Sequence, residues 1–129
     1  MEMKFDYTVT SSKDFDEAVA AVEAKAQEKG FKVLYTHDTQ ANLKDKGFEI
    51  EPFKTVEICN AKFAHKVLRA DKNIGLMMPC KINVYREEDK TIISAMRPLV
   101  ISQFFPDADL GEIPKEIDSI LKSIVDEAK

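Results

Sequence analysis

The amino-acid sequence predicts an α+β domain, in which helices gather on one face of an at least partly antiparallel sheet. Strand-like and helix-like patterns follow one another in the order β-α-β-(short α)-β-α-β-β-α, without the regular alternation typical of a parallel sheet. Two strand-like runs between Gly75 and Met96 are joined by a short polar segment, which indicates an antiparallel hairpin. A chain of 129 residues can bury one core. We therefore expect a single domain over residues 1–129.

The first part of the chain predicts two strands on either side of a long helix. Apolar and polar residues alternate from Lys4 to Thr10, which is typical of a half-buried strand. From Lys13 to Lys29 apolar residues recur at helical spacing, and Gly30 follows as a residue suited to end a helix. A second alternating run, from Phe31 to Thr36, predicts the next strand.

The middle of the chain predicts two further helices and a strand. Asp38 can cap a short helix over Thr39 to Lys46. A third strand is expected from Phe53 to Cys59. Asn60 can then cap a helix from Ala61 to Ala70, whose apolar residues again lie at helical spacing.

The predicted hairpin is followed by the least periodic stretch of the chain. Its strands are expected over Gly75 to Arg86 and Thr91 to Met96, with Glu87 to Lys90 as the polar connection. Pro98 is expected to close the second strand, because proline cannot donate to a sheet. Val100 to Leu110 predicts an apolar loop laid across another part of the molecule.

The last helix is long and carries an apolar stripe from Ile113 to Val125, with Pro114 tolerated in the first turn. This stripe and Phe104-Phe105-Pro106 could form a dimer seam or receive a partner, which would make the chain an interaction protein. Both also fit an intramolecular core, and we expect the helix to lie there.

Charge and hydropathy limit the partners. The net charge of −4 argues against nucleic acid, because a phosphate backbone needs a clustered basic face. The lysines around Lys44 and from Lys62 to Lys66 are interrupted by acids or apolar residues. No apolar run approaches the roughly 20 residues that span a bilayer, and the first residues lack the pattern of a signal peptide. We therefore expect a cytoplasmic protein without a membrane partner.

The two cysteines are the residues with the clearest chemical potential. In the cytoplasm they are expected to be reduced thiols. Cys59 ends a predicted strand just before a helix, where unpaired N–H groups stabilise a thiolate. Cys80 follows Pro79 in or beside another strand. If the sulfurs lie close together, they could bind a soft metal, exchange disulfides or carry a persulfide. Burial as small apolar side chains is the alternative interpretation.

Neighbouring residues complete a candidate ligand-binding set. Asn60 and Lys62 could hold an anionic group at the helix start, although a cap and a solvated lysine are the favoured explanation. Leu76-Met77-Met78 could supply soft ligands for copper(I) or a pocket wall. The candidate ligand-binding residues are therefore Cys59, Asn60, Lys62, Met78, Pro79 and Cys80.

No pattern assigns a catalytic residue, a metal ligand or a cofactor. Cys59 and Cys80 are too far apart along the chain for a zinc signature, and His37 and His65 fit exposed polar roles. The four glycines form no Gly-x-Gly pattern, which excludes the phosphate-binding loops that depend on it.

A spaced set of residues stands out in the second half of the chain: Glu57-Ile58-Cys59-Asn60-Ala61-Lys62, Ala64, Leu68, Gly75-Leu76-Met77-Met78-Pro79-Cys80 and Pro98. With this set, most of the chain resembles the domain-of-unknown-function 302 (DUF302) family. The resemblance implies a TATA-binding-protein-like α+β fold, with a curved, mainly antiparallel sheet, helices packed on one face, and a homodimer. It brings no reaction, and the fold label does not imply DNA binding. Ala61 stands where many members have proline, and the thiols are a feature of one branch.

Three functions follow as hypotheses. The first is a homodimeric module that binds a small ligand, a soft metal or a sulfur species at a site lined by Cys59 and Cys80. The second is an enzyme of thiol redox or sulfur transfer, with Cys59 as nucleophile and Cys80 as the resolving thiol. The third is the interaction protein described above.

Overall fold

The computed structural model describes residues 4–129 and contains a five-stranded antiparallel sheet with helices on one face. The strand order is β1-β5-β4-β3-β2, so the hairpin strands lie in the middle. This architecture confirms the predicted α+β class. The strands are β1 (Asp6–Ser11), β2 (Lys32–Asp38), β3 (Phe53–Cys59), β4 (Cys80–Glu87) and β5 (Lys90–Met96), and the helices are α1 (Phe15–Glu28), α2 (Thr39–Lys44), α3 (Ala61–Ala70), α4 (Leu99–Phe104) and α5 (Ile113–Ala128).

The register of the sheet separates an apolar face from a polar one. Val56 of β3 pairs with Ile82 of β4, which pairs with Ala95 of β5, and all three side chains are buried under the helices. The next residues along the strands point to the other face. There the hydroxyl of Thr55 donates to Oδ1 of Asn83 at 2.7 Å. The sheet therefore has one covered face and one polar face.

Helix α1 begins and ends at the residues that its sequence favours. The Asp14 side chain accepts a hydrogen bond from the backbone N–H of Glu17 at 2.9 Å. Gly30 follows the helix with φ of 87°, a left-handed conformation that suits glycine, and the Phe31 N–H bonds back to the carbonyl of Ala26. This geometry confirms Gly30 as the residue that follows the helix, whereas the helix begins at Phe15, with Asp14 as its cap, two residues after the predicted start at Lys13.

The main core lies between the sheet and helices α1 and α5. The apolar stripe of α5 is buried there, which confirms its expected place inside the molecule rather than at a dimer seam. A second, smaller cluster lies under α3 and α4. Its buried members are Val67, Ile74, Ile101 and Leu110.

Two segments differ from the sequence-based prediction. The expected strand from Gly75 does not begin until Cys80, because Lys72–Met77 forms a 3₁₀ helix that is held by the buried side chain of Ile74. The expected loop from Val100 contains helix α4, which follows Pro98. In both segments, tertiary packing of a short apolar run determines the conformation of the backbone.

The hairpin turn is also tighter than expected. Glu87 pairs with Lys90, so only Glu88 and Asp89 form the turn, with φ of 50° and 63°. Positive φ at both central residues is the conformation of a two-residue turn that matches strand twist. Among residues 4–129, no helix is long and apolar enough to cross a membrane.

Candidate functional site

An apolar cavity lies at the end of the sheet where β4 begins, between the sheet and α3. Its volume is about 40 Å³. Five of the six candidate ligand-binding residues border it, although they come from two separate segments of the chain. The full lining is Phe31, Ile58, Cys59, Asn60, Phe63, Ala64, Val67, Met77, Met78, Pro79, Cys80, Met96, Pro98, Ile101 and Ile117.

Lys62 is the sixth candidate, and it does not border the cavity. Its side chain is exposed on α3, one residue before Phe63, which faces the cavity. Successive helical residues point in directions about 100° apart, so the two cannot share one face. The cavity lining therefore does not include Lys62, and the predicted part of Lys62 in holding an anionic group beside Asn60 stays a prediction.

The two thiols do not converge, which corrects the prediction of a cysteine pair. Cys80 is opposite Ile58 in the sheet register and shares the covered face with it. Cys59 is the next and last residue of β3, so alternation turns its side chain away from that of Cys80 even though both residues border the cavity. Both cysteines are free. Adjacent strands alone did not bring the sulfurs together, because the parity of the register separates them.

Cys80 is a poor nucleophile in this environment. Burial raises the pKa of the Cys80 thiol to about 11, and Cys59 on the neighbouring strand adds a smaller electrostatic contribution. A buried thiolate lacks water to stabilise its charge, so the neutral thiol dominates at neutral pH. The site therefore presents a weakly polar S–H group to the cavity.

Alkylation of Cys80 is expected to be about 20-fold slower in the folded protein than in the urea-unfolded chain at pH 8. Only about 0.1% of a thiol with a pKa of 11 is ionised at that pH, against about a quarter of an ordinary cysteine, and the greater nucleophilicity of the more basic thiolate offsets part of this difference. Iodoacetamide labelling of the Cys59→Ser variant, followed by mass spectrometry, measures both rates on the same residue. Equal rates would show that the thiol is not shielded.

Asn60 joins three parts of the site by hydrogen bonds. Its Oδ1 accepts the backbone N–H groups of Lys62 at 3.1 Å and Phe63 at 3.3 Å, which caps α3. Its Nδ2 donates to the carbonyl of Gly30 at 3.1 Å, at the end of α1. These bonds confirm the predicted cap, which contributes about 1 kcal/mol in typical helices. They also occupy Oδ1, so the side chain supplies structure rather than a free acceptor.

The methionines gather at the cavity more completely than the sequence predicted. Met77 and Met78 border it as the sequence suggested, and Met96 joins them from the end of β5. Leu76, which the same motif contains, is 85% exposed and does not border the cavity. No pattern in the sequence indicated Met96, because only the pairing of β5 with β4 brings the two strand ends together.

The histidines do not assemble a metal site. Nε2 of His37 lies 2.8 Å from Oε1 of Glu57 on the polar face of the sheet, and His65 is exposed on α3. Across residues 4–129, no three His, Cys, Asp or Glu side chains come together in a way that could hold a metal ion. Methionine thioethers are not among these ligand types.

Comparisons with known proteins place the chain in a family. A family model described as "Domain of unknown function DUF302" matches residues 7–128. The crystal structure of an uncharacterized conserved DUF302 protein from Bacillus stearothermophilus is similar, with a TM-score of 0.91 and 30% sequence identity, over 98% of this chain and 100% of that one. No curated protein matches. The chain therefore belongs to the domain-of-unknown-function DUF302 family.

Proposed function

We propose that this protein is a binding module that holds a small uncharged guest in the cavity beneath α3. The observation that carries the proposal is the cavity itself, which is bordered by apolar and sulfur-bearing residues from the sheet, α3 and the 3₁₀ helix. Asn60 is its polar member, and its Oδ1 is already hydrogen-bonded to the backbone. An organic ion would find no compensating charge among the lining residues, so a charged guest would need direct coordination by them.

The size of the cavity limits the guest. A volume of about 40 Å³ exceeds the 10–15 Å³ or so that one water needs on the same measure. It is much smaller than the sites of about 300–1,000 Å³ that enclose whole drug-sized ligands. The guest is therefore a molecule of a few heavy atoms, or the apolar end of a longer one.

The chemistry of Cys80 favours binding over turnover. A nucleophilic or resolving thiol needs access to its thiolate, and burial raises the pKa of Cys80 to about 11. An intramolecular disulfide with Cys59 would also require the two side chains to reach one face of the sheet. The thiol redox or sulfur-transfer enzyme therefore remains the weaker alternative.

Xenon is a suitable probe, because it is uncharged and its size matches the cavity. Under xenon pressure we expect amide resonances of lining residues, such as Ala64 and Ile101, to shift in two-dimensional NMR spectra. Ala64→Val and Ala64→Leu should reduce these shifts stepwise, because each fills more of the cavity. Ala61→Leu is the matched control, since Ala61 is exposed on the same helix and does not border the cavity.

The same spectra report whether each variant is folded. Absence of xenon shifts in the wild-type protein, or shifts of equal size in folded Ala64→Leu, would overturn the proposal.

A soft monovalent metal ion is the second candidate guest. Every cysteine and methionine within residues 4–129 borders this one cavity. Thioether sulfur binds copper(I) without losing a proton, so the high pKa of Cys80 does not oppose a site built mainly from methionine. A soft metal therefore stays a proposed guest of the protein. Met77, Met78 and Met96 would coordinate it in place of a cysteine pair.

Silver(I), a redox-stable analogue of copper(I), tests this candidate by isothermal titration calorimetry in a Cys59→Ser/Cys80→Ser background, because free thiols bind silver(I) more tightly than thioethers do. Each of Met77→Leu, Met78→Leu and Met96→Leu should weaken silver binding while preserving volume and fold. Met1 and Met3 lie outside the described residues and stay in every variant, so they provide an internal control. Unchanged affinity in all three variants would exclude a thioether site at the cavity.

The homodimer implied by the family resemblance is part of the same proposal. The face of the sheet opposite the helices is a surface that a second copy could cover. Light scattering over a dilution series measures the mass of the species in solution. A monomer at every concentration would remove the dimer from the proposal and leave the cavity unaffected.

A further inference from the structure

Helix α3 carries its positive charge on one exposed face. Lys62, Lys66 and Arg69 are spaced by four and three residues, which aligns them along the helix, and all three are exposed. Phe63 and Val67 point inward from the other side to the cavity. The apolar residues that interrupt the lysines in the sequence are therefore the inner face of an amphipathic helix.

These cations form no close ion pairs, although the acids Asp71 and Asp107 border the same depressions. Lys72 in the 3₁₀ helix extends the row, and no ion pair within residues 4–129 involves any of the four cations. Asp71 is the one acid between Lys62 and Lys72, and its carboxylate accepts a hydrogen bond from the backbone N–H of Asn73 at 2.8 Å. A chain with a net charge of −4 thus carries a local positive surface.

Exposed apolar side chains adjoin these cations. Leu76 is 85% exposed, Phe104 is 68% exposed and Leu68 is 36% exposed. Gly75 lies against the Leu68 side chain, which places the 3₁₀ helix beside α3. Two shallow depressions that share Ala70 and Asp71 connect the cations of α3 with Phe104. One is bordered by His65, Leu68, Arg69, Ala70, Asp71 and Lys72, and the next by Ala70, Asp71, Phe104, Phe105, Pro106, Asp107 and Ala108.

We propose that this surface, formed by Lys62, Lys66, Arg69, Lys72, Leu68, Leu76 and Phe104, docks on an anionic lipid bilayer. The cations match the negative headgroups, and the projecting leucine and phenylalanine match the acyl boundary beneath them. A nucleic acid would use the cations but has no apolar layer for Leu76. The remainder of the acidic chain is repelled by the same bilayer, which orients the molecule.

This association is peripheral and differs from membrane spanning. It also does not depend on the cavity guest, because the surface residues lie on the outside of α3. Each cation near an anionic surface strengthens partition by about five-fold at low salt, and the effect falls with ionic strength. Four cations, offset by Asp71 and Asp107 on the same surface, therefore predict a preference of roughly 25-fold for anionic over neutral vesicles.

Vesicle flotation with the full chain tests the proposal. Vesicles of phosphatidylcholine are compared with vesicles that also contain phosphatidylserine, at low and high salt. Binding is expected on the mixed vesicles at low salt and is lost at high salt. Equal binding to both vesicle types, or no binding to either at low salt, would overturn it.

Matched variants separate charge from apolar insertion. Lys66→Glu with Arg69→Glu should reduce binding on the order of a hundred-fold, whereas Lys44→Glu with Lys46→Glu, an exposed pair on the α2 side, should change it about two-fold. Leu76→Ser with Phe104→Ser should reduce binding about ten-fold or more. The control for this double variant is Leu34→Ser with Phe48→Ser. The Leu34 and Phe48 side chains are 46% and 64% exposed, and they lie outside the proposed surface.

Two results together would assign the surface to a polyanion instead of a bilayer. The protein would be retained on an immobilised single-stranded oligonucleotide, and Leu76→Ser with Phe104→Ser would leave vesicle binding unchanged. All eight positions are partly or fully exposed, so circular dichroism should show folded variants.

Discussion

Replacing Asp118 with alanine is expected to lower the free energy of unfolding by about 3 kcal/mol. The Asp118 side chain is 6% exposed and receives two hydrogen bonds from Arg97, Nε to Oδ1 at 3.2 Å and Nη2 to Oδ2 at 3.1 Å. The same carboxylate raises the pKa of Arg97 through these bonds. Alanine leaves the guanidinium without its partner between β5 and α5. The expected loss lies at the lower end for buried pairs, because Arg97 is 19% exposed and keeps some contact with water.

Urea denaturation measures this loss, with matched variants on the same helix. Glu116→Ala should change the free energy of unfolding by at most about 0.5 kcal/mol, because Glu116 is exposed on α5. Combining Arg97→Leu with Asp118→Leu should cost less than Asp118→Ala alone, since no charge is left unpaired. A loss below about 1 kcal/mol for Asp118→Ala would show that the ion pair is not effectively buried.

Replacing Ile82 with alanine is expected to destabilise the fold by about 4 kcal/mol. Ile82 is fully buried on the central strand β4, and its neighbours across the sheet, Val56 and Ala95, are also buried. Alanine removes apolar contact and leaves a space that the surrounding strands cannot close. Urea denaturation of the variant and the wild-type protein gives the difference.

Ile92→Ala is the control, because it makes the same chemical change on the other face of the sheet. Ile92 pairs with Tyr85 and is partly exposed, so the expected cost is about 1 kcal/mol. Similar losses for both variants would contradict the assignment of the covered and polar faces.

The elements that the sequence predicted best have strong local signals. The observed bounds of β3 (Phe53–Cys59) and α3 (Ala61–Ala70) are those expected from alternation and from the Asn60 cap. The 3₁₀ helix before β4 had no such signal, since a short apolar run fits a strand as well as a helix. Its conformation depends on packing of Ile74, which a local pattern does not contain.

The sequence predicted which segments of the chain form the candidate site, but not how their side chains are arranged in it. The sequence identified the segments around Cys59 and Cys80 that meet at the cavity. It could not give the register of β3 against β4, and a shift of one residue exchanges the faces on which side chains lie. The contribution of Met96 also depends on strand order. Likewise, the basic face of α3 was hidden because helical spacing separates its residues in the sequence.

The bond from Asn60 to Gly30 has a mechanical consequence for the cavity wall. It ties the first turn of α3 to the end of α1, and α1 is fixed in the main core through Ala26. The far end of α3 is held as well, because Val67 packs with Ile74 of the 3₁₀ helix and with Ile101 in the second cluster. Both ends of the wall are therefore anchored, so the shape of the recess is set before any guest arrives.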